Sequence, residues 1–87
     1  MKADERVARQ VGQALRRLRL DQDFLMKQVA GRAGITITML SRFEHGHMCP
    51  SLPNLVKILR ALDCTAEEFG NTLGPWGCLH DASEARG

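Results

Sequence analysis

Hydroxyls at Thr36, Thr38 and Ser41, apolar side chains at Ile37 and Met39, and a guanidinium at Arg42 lie within seven consecutive residues. This set suits surface recognition better than bond breaking. Thr38 can hydrogen-bond the edge of a base and offer its methyl to thymine, and Arg42 can reach guanine or a phosphate. Ile37 and Met39 hold no hydrogen-bonding group, so they can make only apolar contacts, with thymine methyls or with another protein surface. Arg16, Lys27, Thr36, His45 and His47 add groups suited to phosphate oxygens, together with the amides at helix starts. For each of these residues alone, a solvated surface position is the plain alternative.

A second constellation invites metal chemistry. His45, His47 and Cys49 alternate, and Cys78 and His80 recur near the C-terminus. Imidazole and thiolate bind zinc or copper, but this spacing matches no common site. No metal and no cofactor is expected. Nucleophile motifs, a phosphate-binding loop and paired carboxylates are all missing, so an enzyme is not expected either. Cys64 reads as a small buried hydrophobe.

The recognition set needs elements to hold it. Val29, Ala30 and Ala33 form one apolar face of a short helix, and Gly34 suits its left-handed end. Thr36 can cap a second helix whose inner face is Leu40 and Phe43 and whose end is Gly46. Two helices crossing steeply after a tight turn need a small residue where their backbones approach, and Ala30 supplies it. Residues 26–46 therefore have the spacing of a helix-turn-helix. A longer helix is expected before it, from Asp4 to Leu20, with Val7, Val11, Leu15 and Leu18 on its inner face. Leu25 cannot cap the helix that follows, so either Asp23 caps an earlier start or that end is uncapped. Beyond the motif, Ser51 can cap a fourth helix with Leu55, Ile58, Leu59 and Leu62 inside. Asp63 falls where a left-handed residue is common. Thr65 with Glu68 makes a capping box for a fifth helix, expected to end near Gly70.

These pieces resemble the lambda-repressor-like helix-turn-helix family, also called the Xre or Cro/cI type. The resemblance runs from about Val11 to Phe69. It rests on Leu15-Arg16-Arg17-Leu18-Arg19, Val29-Ala30, Gly34-Ile35-Thr36, Ser41-Arg42-Phe43-Glu44-His45-Gly46, Pro50-Ser51 and the segment Ala61 to Phe69. It implies an all-α, five-helix DNA-binding domain over residues 1–70, with residues 71–87 as a short apolar extension. It implies an ion pair between Arg19 and Glu44, joining the first helix to the end of the recognition helix. It also places Met26 where the family often has a Gln that contacts DNA. The implied partner is double-stranded DNA, bound by a homodimer that regulates transcription as a repressor. Phe69, Leu73 and Trp76 are the candidate dimer contacts, with the tail folding back on its own core as the alternative, and residues 81–87 are expected to be disordered. The competing reading is a protein-binding module, such as an antitoxin whose Trp76 tail grips a partner.

Length and charge agree with a small basic binder. At 87 residues the chain is one domain, with 44% hydrophobic and 25% charged residues. A domain this small buries only about 60% of its unfolded surface, so a dimer would help its stability. Residues 1–60 hold 11 Lys/Arg against 5 Asp/Glu, a balance of +6, whereas residues 61–87 hold 1 against 5, a balance of −4. A basic body with an acidic end suits a module that turns one face to phosphates. No apolar run approaches the roughly 20 residues that span a bilayer, so no membrane contact is expected. The N-terminal MKADERVARQ lacks the apolar core of an export signal, and the three cysteines then read as reduced thiols in a cytoplasm.

Overall fold

The apolar spacing produces helices at every predicted place. The computed structural model describes residues 3–74, in five helices. They are α1 (Ala3–Asp21), α2 (Met26–Ala33), α3 (Ile37–Glu44), α4 (Leu52–Ala61) and α5 (Ala66–Leu73). Among the described residues there is no β-strand. Helix α2 packs on α4 and α3, while α1 packs on α3 and α5. The core between them is built from Leu15, Val29, Ala30, Leu40, Phe43, Ile58 and Leu62, each at most 2% exposed.

Four helices end in the same way. Asp23, Gly34, Gly46 and Asp63 all adopt positive φ, between 58° and 76°. At each, the residue's own N–H and the next one reach back to carbonyls of the last helical turn, as in Phe24 N to Arg19 O at 3.1 Å and Ile35 N to Ala30 O at 3.0 Å. This pattern satisfies carbonyls that would otherwise lack partners. After three of these ends, the following residue is apolar and packs on the core: Phe24, Ile35 and Cys64. The next residue then starts a new helix. A short repeated connector thus sets three of the four helix junctions.

Asp23 therefore closes α1 and does not cap α2. The cap position is Leu25, which has no acceptor, and the side chain of Gln28 accepts from the Leu25 N–H at 2.8 Å. The other starts follow the sequence. Thr36 accepts from Met39 N at 3.0 Å, Ser51 from Asn54 N at 3.3 Å, and Thr65 from Glu68 N at 3.0 Å. Glu68 in turn accepts from Thr65 N at 2.8 Å. That bond holds the Glu68 carboxyl below its ordinary range, because it favours the ionised form.

Two expectations are corrected. Val7 is exposed, and Ala8 is buried in its place. The face that α3 and α5 cover is centred on Ala8, Val11 and Leu15, which leaves Val7 at its edge. Helix α5 also passes through Gly70 and ends at Leu73. Leu73 packs against the core, and that contact outweighs the modest cost of a glycine inside a helix. Trp76 lies outside the described residues, as do Cys78 and His80.

Candidate nucleic-acid interface

Helix α3 has two faces of different character. Leu40, Phe43 and Glu44 are buried, while Thr36, Ile37, Thr38, Arg42 and His45 are exposed. Gly34, with φ of 73°, turns the chain from α2 into Thr36. Ala30 is 2% exposed where α2 meets its neighbours. The leading turn of α3 is thereby held by its cap and its inner face, with the outer side open.

The other end of α3 is locked to α1. Arg19 Nε donates to Glu44 Oε2 at 2.6 Å, and Nη2 donates to Oε1 at 2.9 Å. Nη1 donates to the Phe24 carbonyl at 2.9 Å. The fork of the guanidinium matches the carboxylate, and the third bond ties in the α1–α2 connector. Both side chains are at most 9% exposed. The bond to Glu44 raises the Arg19 pKa above its ordinary value, against the opposing effect of burial. Removing one partner of such a buried pair costs about 3–5 kcal/mol, because the other charge is left unpaired.

Two glycines let the backbones close in. A Cβ at Gly12 would collide with the Phe43 carbonyl oxygen and sit 2.8 Å from that of Glu44. A Cβ at Gly46 would sit 2.9 Å from Arg9 Cα. Gly12 belongs to the positioning machinery although no local pattern assigns it there. Its one signal is a glycine inside an otherwise regular amphipathic helix, which usually has a packing reason.

Beyond the end of α3 lie two imidazoles. His45 Nδ1 is 2.8 Å from the Ser41 carbonyl oxygen and 3.3 Å from Ser41 Oγ. A carbonyl can only accept, so the geometry assigns the proton to Nδ1. The His45 ring stacks on His47 at 5.9 Å between centroids. Both rings are exposed.

The candidate residues do not all share one environment. Ile37, Thr38 and Arg42 are exposed on α3, and Ser41 is half-buried. Arg16 and Lys27 are exposed on α1 and α2. Met26 and Met39 are half-buried, and both pack partly against the core. Their flexible thioethers fill gaps under α2 and α3. Phe69 and Leu73 are half-buried against the protein's own core.

An exposed helix that follows a tight turn, braced from behind by a first helix, defines a class of protein. Residues 15–69 match the helix-turn-helix family. The chain belongs to the lambda-repressor-like branch of that family, the DNA-binding regulators of transcription. Among solved structures, it is similar to the restriction-modification controller protein C.AhdI from Aeromonas hydrophila. The two share 29% identity and a TM-score of 0.68, over 71% of this chain and 94% of that one. None of the curated proteins matches the chain in sequence. No helix among the described residues is long and apolar enough to cross a membrane.

Proposed function

We propose that two copies of this protein bind a roughly palindromic duplex site and repress transcription, near the protein's own promoter. The observation that carries the reading is the open outer face of α3, from Thr36 to Arg42, on a helix whose far end is fixed to α1. Such a helix enters the major groove with its N-terminal residues leading. Thr38 and Arg42 supply the hydrogen bonds to bases, and Ile37 supplies apolar contact. Arg16, Lys27, Thr36, His45 and His47 are the phosphate contacts. The likeness to a controller protein, nearly all of whose length is covered, supports a regulatory role. A dimer would place its two recognition helices about 34 Å apart, one turn of DNA. Phe69 and Leu73 retain partial exposure on α5, and with Trp76 they are the proposed contact between copies.

Selection from random duplexes, followed by a salt titration of the winner and sedimentation of the complex, tests this. The expected result is a two-fold symmetric site, two chains per duplex, and affinity that falls steeply with salt as counterions are released. Binding without a preferred sequence would reduce the role to generic DNA association. No binding at low salt would turn attention to a protein partner, which co-purification with the product of the neighbouring gene would detect.

A further inference from the structure

Ile37 is the first residue of α3 and is 51% exposed. The groups around it are differently engaged. The Thr36 hydroxyl is held by Met39 N at 3.0 Å, and the Met39 side chain packs partly against the core. Of the two apolar residues on the leading turn, only Ile37 therefore keeps most of its reach. Its β-branch leaves essentially one side-chain rotamer in a helix, so the aliphatic group is presented rigidly. In the major groove the apolar feature of a base edge is the C5-methyl of thymine. An aliphatic group fixed on a groove-entering turn is complementary to that methyl and to nothing else a standard base pair displays.

We propose that Ile37 determines specificity by reading the C5-methyl of one thymine in each half-site. This deepens the duplex-recognition reading above and rests on it. Contact with Ile37 takes one methyl out of water, which corresponds to about fourfold in affinity. Replacing the thymines of the selected duplex by uracil, one at a time, removes only that methyl. One thymine per half-site is expected to cost about fourfold on replacement. Ile37→Ala is expected to bind the thymine duplex more weakly by a similar factor and to lose the distinction between the two duplexes. A side chain this exposed can be shortened with little effect on stability, and a thermal melt of the variant checks it. Equal binding of every uracil duplex by the natural protein overturns the proposal without any variant. So does a uracil penalty that persists undiminished in Ile37→Ala. Failure to select any sequence would instead sink the duplex-recognition reading, and this inference with it.

Discussion

At its C-terminal end α3 meets α1 backbone to backbone, with Gly12 leaving room for the Phe43 carbonyl and Arg19 gripping Glu44 through two hydrogen bonds. At its N-terminal end the same helix carries a single side-chain cap, from Thr36, and its outer side chains face solvent. The helix is only eight residues long, yet its chemistry is divided. One end holds buried charge and close backbone contact, which fix position. The other holds hydroxyls and an aliphatic group, which can meet a ligand, and Arg42 adds an exposed guanidinium from the last turn. Orientation and readout can therefore be broken separately.

The largest effect should come from the clamp. Glu44→Ala leaves the Arg19 guanidinium buried without its partner, a loss of about 3–5 kcal/mol. For a domain of this size that is a fall in melting temperature of more than about 10 °C, read by thermal circular dichroism. DNA affinity should fall with it, since the helix loses its brace. An unchanged melting temperature would mean that the clamp does not hold α3.

A smaller effect, with a built-in contrast, comes from glycine. Gly12→Ala forces a methyl onto the α3 backbone and should destabilise by about 1–3 kcal/mol. Gly31 is also helical, but a Cβ there meets nothing within 4 Å. Gly31→Ala should therefore stabilise, by about 0.5–1 kcal/mol. Urea titrations of both variants test the opposite signs, and equal signs would remove the close approach of α1 and α3 from the account.

The smallest effect lies away from α3, at the cap of α5. The Glu68 carboxyl sits below its ordinary range because it accepts from the Thr65 N–H. Its contribution is present above the unfolded-state pKa and is lost as pH falls through the lower folded-state value. Glu68→Gln can still cap but cannot titrate. Its melting temperature should fall less steeply on acidification than that of the natural protein. Parallel curves would show that the cap carries no proton linkage.

What the sequence reveals follows the range of each interaction. Gly34, Thr36, Leu40 and Phe43 act within one or two turns of chain, so spacing alone exposes them. The Arg19–Glu44 pair spans 25 positions, and no local pattern announces it; the family resemblance implies it. Gly12 stays hidden because its reason is a carbonyl on another helix. Asp23 misleads because an aspartate can begin a helix or, with positive φ, end one. Val7 misreads because which edge of an amphipathic face is covered depends on where the neighbouring helices lie. The proposed base contacts on α3 are legible as residue types, but their exposure is settled only by packing.

The division on α3 between buried bracing groups and exposed outer side chains is tested most directly by the double variant Thr38→Ala/Arg42→Ala, titrated with the selected duplex and melted in parallel. Both side chains are exposed, so the melting temperature should stay near that of the natural protein. The sequence preference should collapse, by at least about tenfold for the loss of two base contacts of about 1–3 kcal/mol each. A variant that melts normally and still prefers the same duplex as strongly would contradict the account.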